Sequence, residues 1–551
     1  MKRYRILSIV LAAILAVVLL ADLGGKKDED IIILFTNDVH CGVDENIGYA
    51  GLAAYKEYCL GLTPYVTLVD CGDAIQGDLI GAVSDGEYIV DIMNEVGYDI
   101  AILGNHEFDF GMEQLKMLIS RSNATYLAAN VTYHGSGENV LADTKPYEII
   151  SYGDTDVAFI GLSTPYTITS STPTYFMEDG EFVYSFANGD GSELYTLVQG
   201  YIDDCRAKGA DYVILLTHLG DTEAYSPYSS VDLIRNTVGV DALLDAHEHS
   251  VIPCEIHKNK AGQKVLLAST GTKLNNIGRL TITPSGNITV GLVSDLPDRD
   301  ADTVAFIEGI KASYEEELNT VIAQSSLLLT GYTSDGVRLV RSRETNIGNL
   351  CADAYRAVAG ADIGLVNGGG VRADIAAGGV TYADMIAVHP FGNTLCMVEA
   401  TGREIVDALE VSVCEVQSEY AADGAAVGEN GSFLQVSGIR FTIDTSVESS
   451  VVFDENFMLA SIGENRRVKD VEVLGDDGEY HPIELERTYT VASHNYLLAD
   501  SGCGHSIFSD NVFLIDRAMS DYEVLITYVA DILGGNIGEE YAAAQGRITV
   551  K

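Results

Sequence analysis

From Ile31 to about residue 295 the chain alternates short apolar runs with polar or helical stretches; the runs include IIILF, YVTLVD, DIAILG, TYLAAN, VAFIGL, YVILLTHLG and VLLAST. Short apolar runs bounded by turn residues read as buried strands, and their alternation with helical segments predicts an α/β domain over 31–297. Polar residues follow many of the runs directly, as in TNDVH, DCGD, GNHE and THLG. Strand ends and the loops leaving them are where α/β sheets hold ligands. Residues 299–325 have helical spacing and an acidic, alanine-containing surface, which predicts a linker helix over 298–325. A second mixed α/β pattern fills 326–551, with the glycine-rich LVNGGGVRADIAAGG, the segment VHPFGNTL, and late strands such as FTID, VEVL and TYTVASHNYLLAD. No repeat of about 20–50 residues is present, which argues against solenoids and propellers.

The first 30 residues follow another pattern. Lys2, Arg3 and Arg5 precede an apolar run from Ile6 to Ala21, and GGKKDED follows, the layout of a secretory signal. The run is short beside the roughly 20 residues of a spanning helix, and Leu19 stands where cleavage after Ala21 favours a small residue. An uncleaved N-terminal anchor is therefore the alternative, and the only membrane association expected. No cysteine follows the run, which argues against a lipoprotein. The body is expected outside the cytoplasm: secreted, periplasmic or at the cell surface.

Composition narrows the function. The 551 residues are 47% hydrophobic and 21% charged, a balance able to bury sizeable cores. Against 81 acidic residues stand 33 basic ones, a net charge of −48. Such a field disfavours nucleic-acid polymers, and an anionic small substrate needs a local cluster of arginines or metal ions to override it. The nine cysteines have no repeated spacing, so neither a disulfide framework nor a zinc knuckle is expected.

The candidate chemistry lies in the polar residues after the runs. Asp38 and His40 stand two apart at a strand end, where strand alternation would aim both at one face; His247 and His249 in DAHEHS repeat that spacing. DCGD adds Asp73, GNHEFDFG adds Asn105, His106 and Asp109, and THLG adds His218. Carboxylates, imidazoles and one amide oxygen suit first-row divalent ions such as Zn, Mn, Fe or Co, and seven candidate ligands suit two ions sharing a carboxylate. The expected division is Asp38, His40, Asp73 and His249 for one ion, and Asp73, Asn105, His218 and His247 for the other. Ions so paired can hold a bridging hydroxide for attack on phosphorus. His106, adjacent to Asn105, is expected to point elsewhere and donate to a phosphate or leaving oxygen, with Asp109 orienting its ring.

TNDVH, GDAIQG, GNHEFDFG, THLG and the HEH segment resemble the calcineurin-like metallophosphatases, specifically the secreted and periplasmic 5′-nucleotidases, which include UDP-sugar hydrolases and 2′,3′-cyclic-nucleotide phosphodiesterases. The resemblance covers nearly the whole chain after about residue 30. It implies an N-terminal metallophosphatase β-sandwich flanked by helices and a C-terminal α/β domain that binds the nucleoside, the two reorienting about the linker. It places Arg341, Arg343, Asn367, Arg372, Phe391, Asn393 and Tyr496 at substrate-contacting positions. Phe391 and Tyr496 can stack on a planar base, and the arginines supply positive charge. The implied activity is removal of the 5′-phosphate from nucleotides. Cyclic-nucleotide phosphodiesterase and nucleotide-sugar or dinucleotide pyrophosphatase activities are the alternatives among enzymes, and a surface ligand-binding or adhesion protein is the alternative outside them. One departure stands out. Relatives usually carry GGDGY or GGDGF after the stacking aromatic, whereas NYLLADSGCGHSIF puts Cys503 in place of the Asp, followed by His505. Either ribose recognition is loosened, or Asp500 supplies the carboxylate, or Cys503 only packs.

Overall fold

The computed structural model describes residues 29–314, 318–334, 337–418 and 429–551. The expected export segment lies outside the described residues except for its last two positions. Among the described residues no helix is long and apolar enough to cross a membrane.

Two six-stranded sheets face each other in the first part of the chain. One has the order Ile288–Val293, Ile277–Ile282, Ile31–Thr36, Val66–Asp70, Ile100–Ile102, Thr125–Leu127; the other runs Val251–Lys258, Lys264–Thr270, Ala242–Leu244, Tyr212–His218, Thr155–Ser163, Tyr147–Tyr152. Strand Ile31–Thr36 shows why its run is apolar throughout. Ile31, Ile33 and Phe35 face the second sheet with Val69, Phe159 and Leu216, while Ile32 and Leu34 face outward into a core shared with helices Gly48–Leu60, Glu87–Val96 and Met112–Arg121. A strand buried on both faces loses the polar alternation of a half-exposed one. Helices Ser192–Ala207 and Ser230–Asn236 cover the outer face of the second sheet. The expected helix-flanked sandwich is what forms. Its strands Ile31–Thr36, Val66–Asp70 and Ile100–Ile102 run parallel, so their C-terminal ends open at one edge.

The second part is built on a five-stranded sheet in the order Leu434–Ser437, Ile363–Asn367, Thr488–His494, Leu395–Thr401, Val512–Ile515. Helix Asn346–Ala359 packs on one face and helix Gly402–Ser412 on the other. Asn367 and His494 are the last residues of adjacent parallel strands, so the loops that follow them share an edge.

The linker differs from expectation. A helix covers Ala301–Ala312, capped by Asp300, whose carboxylate accepts the N–H groups of Asp302 and Thr303. The helix packs onto the first part through Ile307, and Lys311 pairs with Asp44. Val321–Ser325 is instead a strand, antiparallel to Gly378–Thr381 and parallel to Asn536–Ile537. β-Branched Val321 and Ile322 suit that pairing, and the two sheet partners outweigh the helical spacing.

The two parts touch. The Tyr496 hydroxyl donates to the Thr169 carbonyl at 3.1 Å, the Asn188 amide donates to the Glu455 carbonyl at 2.7 Å, and the rings of Tyr166 and Phe457 lie 4.2 Å apart. Close packing within the sandwich gives a test. A Cβ on Gly278 would meet the Phe35 ring at 2.1 Å. Gly278→Ala is expected to destabilise the protein by about 1–3 kcal/mol, read as an earlier denaturant midpoint, and an unchanged midpoint would show that the ring can yield.

Candidate active site

Asp38, His40, Asp73, His247 and His249 all lie past strand ends, and all have left-handed backbone, with φ of 49°, 45°, 59°, 84° and 58°. The expectation that strand alternation aims each pair at one face is thus corrected: the chain turns sharply at each residue. Left-handed backbone is uncommon outside glycine and persists where surrounding contacts over-determine it. Here the Asp38 N–H donates to the Gly72 carbonyl at 3.0 Å and the His40 N–H to the Asp73 carbonyl at 2.9 Å. The His247 N–H donates to the Asp38 carboxylate at 3.1 Å.

The turns gather three overlapping groups, each with ligand atoms within 4.8 Å of one another: Asp38, His40 and His249; His40, Asp73 and His106; Asp73, His218 and His247. The first group holds three of the four residues expected at one ion and the third group three of the four expected at the other, so His247 and His249 fall in different groups. His106, expected to point elsewhere, joins the middle group.

Two contacts in the cluster are informative. His218 Nδ1 donates to the Cys71 carbonyl at 2.9 Å, and His40 Nδ1 donates to the Gln76 carbonyl at 3.0 Å. In a neutral ring, therefore, each Nε2 presents a lone pair. Yet His218 Nε2 lies 3.1 Å from Asp73 Oδ2, and His40 Nε2 lies 2.9 Å from His249 Nε2. Lone pairs that face each other need a proton or a cation between them. Burial disfavours a charged His218, but Asp73 and Asp38 outweigh it and lift the ring to about 10. Burial lowers His40 to about 3. The imidazoles, His218 foremost, hold Asp73 well below the usual carboxylate range in spite of its burial. The Asn105 side-chain oxygen is buried with no hydrogen-bond partner among the described residues. An unsatisfied buried acceptor, opposed lone pairs and a carboxylate–imidazole–amide donor set together fit divalent first-row ions.

Beside this cluster His106 Nδ1 lies 2.5 Å from Asp109 Oδ2, and Asp109 Oδ1 accepts from the Ser171 hydroxyl at 3.1 Å. Burial opposes charge on His106, but Asp109 and Asp73 raise it above its ordinary value. Its ring lies 5.9 Å from that of Phe391, which belongs to the second part.

That second part turns arginines toward the cluster. Arg341 and Arg372 are half-buried; loss of solvent lowers both, joined by the charges of Arg338 and Arg372 at Arg341, which falls to about 9, and by that of Arg338 at Arg372. Arg372 reaches over the Phe391 ring, 5.4 Å from its centroid. The charge of Arg372 is felt at His40 and His106, and that of Arg338 at His249. Other predicted positions have different surroundings. Arg343 donates to the carbonyls of Ser342 and Gln417, at 2.7 and 2.6 Å. Asn367 donates to the Gly431 carbonyl at 3.1 Å, and its oxygen meets His494 Nε2 at 3.0 Å. Asn393 bonds to buried Asp521 through both its side chain and its carbonyl. The Tyr496 hydroxyl, besides reaching Thr169, accepts the Cys503 N–H. Cys503 is buried in the second part's core and its thiol is pushed up to about 12, as expected of a packing residue. The Asp500 carboxylate already accepts from Asn495 and Arg517, at 2.7 and 2.6 Å. His505 is buried and held down at about 4.

Three residues here escaped the sequence reading. Buried Glu107 accepts the N–H groups of Asp73, Ala74 and Gly104, at 2.8, 2.9 and 2.7 Å, and so ties together the loops that bear Asp73 and Asn105. Asn37 donates to the Asp38 carboxylate and the Gly271 carbonyl, both at 2.7 Å. Arg338 joins the arginine cluster. Glu107 and Asn37 were signalled by their places inside GNHE and TNDVH; Arg338 had no signal beyond lying three residues before Arg341.

The sequence matches the calcineurin-like phosphoesterase profile over residues 31–251 and the 5′-nucleotidase, C-terminal domain profile over residues 321–510. The chain belongs to the family of calcineurin-like phosphoesterases that carry a 5′-nucleotidase C-terminal domain. It is 26% identical to snake venom 5′-nucleotidase of Gloydius brevicauda, over 94% of this chain and 88% of that protein. It is likewise 26% identical to the trifunctional nucleotide phosphoesterase protein YfkN of Bacillus subtilis, over 90% of this chain, but spans only 33% of that longer protein. Among solved structures, a 5′-nucleotidase precursor from Thermus thermophilus superposes with a TM-score of 0.76 at 27% identity, over 95% of this chain and 99% of that one.

If Glu107 fixes the two ligand loops, Glu107→Ala should weaken divalent-ion affinity about 10- to 100-fold, measured by competition against a chromogenic chelator. Unchanged affinity would mean the loops hold their geometry without it.

Proposed function

We propose that this protein removes the 5′-phosphate from nucleotides outside the cytoplasm, with metal ligands in the first part and an anion and base cradle in the second. The hydrolase class, metal-dependent and acting on nucleotide phosphoesters, follows from the family. The observation that carries the finer reading is the apposition of the ligand cluster around Asp73 to Arg372 and Phe391, with Arg341 near Arg372. In an acidic protein, this is where an anion would meet concentrated positive charge.

Asp38, His40, Asp73, Asn105, His218, His247 and His249 would hold two divalent ions, Zn, Mn, Co or Fe. Such ions supply Lewis acidity toward a phosphoester and toward water. His106 carries a proton above the ordinary histidine range and donates it, or a hydrogen bond, to the phosphate or the leaving oxygen. Asp109 keeps that proton on the ring and fixes its plane, and Ser171 fixes Asp109. Arg341 and Arg372 hold the anionic group, and Phe391 offers a face for the base. Binding energy from the nucleoside then holds phosphorus over the cluster. The layout of residues 1–30 and similarity to a cell wall protein of Listeria monocytogenes, 25% identical over 83% of this chain and 59% of that protein, support export. The trifunctional relative is the reason to include cyclic nucleotides and nucleotide sugars in a substrate panel.

Chelation is expected to abolish phosphate release from AMP, and Mn, Co or Zn to restore it; full activity in metal-free protein would end the reading. His106→Asn should lower turnover by about 10²–10⁴ with metal content retained, and loss of metal in that variant would make His106 a ligand. The pH profile supplies a signed test. Asp109 raises His106, so Asp109→Asn lets the ring lose its proton at lower pH and should move the alkaline limb of kcat/KM downward. A limb that stays in place would assign it to another group.

A further inference from the structure

We propose that His389 and His494 are positioning residues: as opposite neutral tautomers they pin the loop 367–372 to the segments that carry Phe391 and Tyr496, and so fix the walls of the nucleotide cradle. Both rings are buried, and so is Asn367. His389 Nδ1 lies 2.9 Å from the Gly370 carbonyl oxygen. A carbonyl only accepts, so His389 carries its proton on Nδ1 and donates it there. His494 is the reverse. The Asn367 amide nitrogen donates to the Gly431 carbonyl at 3.1 Å, which turns the Asn367 oxygen toward His494 Nε2, 3.0 Å away. That ring nitrogen must therefore carry the proton, and His494 Nδ1 accordingly accepts the Leu497 N–H at 3.3 Å.

The bonds join three segments that leave different elements. Loop 367–372 leaves strand Ile363–Asn367, residues 389–393 follow helix Tyr382–Val388, and Tyr496 follows strand Thr488–His494. The ladder between the two strands pairs Ile363 with Val491 and Gly364 with Ala492, and beyond it the His494–Asn367 bond joins the strand ends. His389 ties the far end of the loop, where the Arg372 N–H also donates to the Val388 carbonyl at 3.0 Å. Arg372 and Phe391 thus stand on segments held by two neighbouring bonds, with the guanidinium 5.4 Å from the ring centroid. The loop is tightly folded as well: a Cβ on Gly370 would meet the Asn367 oxygen at 2.9 Å.

Neutral rings are what such tautomers require, and burial supplies them. It lowers His389 to about 4 and, joined by the charge of His389, lowers His494 to about 3. The Tyr355 ring packs edge-on against both, 6.2 Å from His389 and 5.9 Å from His494. A ring held by its neighbours and committed to one acceptor gives that acceptor a fixed place. Displacing Arg372 or Phe391 by about 1 Å is enough to weaken the hold on an anion or a base. The inference rests on the reading that Arg372 and Phe391 hold the nucleotide.

An Asn side-chain nitrogen overlays imidazole Nδ1 and a Gln nitrogen overlays Nε2, so the two histidines call for opposite replacements. In the full chain, His389→Asn and His494→Gln should keep KM for AMP within about twofold. His389→Gln and His494→Asn should raise it about five- to tenfold, and raise KM more than they lower kcat. Divalent-ion affinity, read by competition against a chromogenic chelator, should be the same in all four, and its loss would overturn the inference by showing a general disruption. The same order of Asn and Gln at both positions would also overturn it, as would an unchanged KM in either His389→Gln or His494→Asn. Should a variant fail to fold, neutron diffraction from deuterated crystals of the unaltered protein reads the tautomers directly. Deuterium is expected on His389 Nδ1 and His494 Nε2, and its placement on the other nitrogen of either ring would overturn the inference. If Arg372→Ala and Phe391→Ala leave KM for AMP unchanged, the nucleotide-cradle reading fails first; if they raise it and His389→Gln and His494→Asn do not, only the role of the histidines fails.

Discussion

One buried carboxylate organises the first part of this protein. Asp73 has lost its water, and its oxygens face His218 at 3.1 Å, His40 at 3.9 Å and His106 at 4.0 Å. A carboxylate in so dry a place must be neutralised or hydrogen-bonded, and the surrounding imidazoles do this only while something positive sits among them. The arrangement elsewhere follows from that need. Glu107 ties the Asp73 loop to the Asn105 loop, carbonyls of Cys71 and Gln76 fix the histidine tautomers, and left-handed turns at five ligand candidates aim the side chains inward. The left-handed turns cost local stability, and these hydrogen bonds and the doubly buried sheets beneath hold them in place.

The second part answers a different constraint, the strongly negative charge of the whole chain. An anionic substrate approaches against that field unless positive charge is concentrated where it must arrive. Three arginines meet there, with Glu429 beside two of them and the Phe391 ring beneath Arg372. Contacts such as Tyr496 to Thr169 and Tyr166 to Phe457 hold this cradle against the first part, so the site has walls from both.

Much of this was legible from residue order alone, for physical reasons. The strands were readable because burial on both faces leaves unbroken apolar runs, as in IIILF and YVILLTHLG. The metal cluster was readable because carboxylates and imidazoles set directly after such runs have few other uses. What escaped depends on tertiary contacts. The spacing of Asp38 with His40 suggested an extended strand, but hydrogen bonds to the Gly72 and Asp73 carbonyls bend the chain into left-handed turns. Val321–Ser325 looked helical until two strands offered it partners. Arg343 and Arg338 are the same residue type five positions apart, and only the tertiary contacts, such as that of Arg343 with the Gln417 carbonyl, tell them apart. Cys503 lies in the core, so its departure from the familiar aspartate changes packing at that position.

The claim on which the rest stands is that Asp73 is shared by two ion sites, and the metal content of purified Asp73→Asn beside the unaltered protein tests it most directly. After dialysis against trace Mn or Zn, elemental analysis should find close to two ions per unaltered chain and a large loss from both sites in the variant, with the secondary structure intact by circular dichroism. Retention of both ions by a folded Asp73→Asn protein would contradict the account, as would an unaltered chain that binds none.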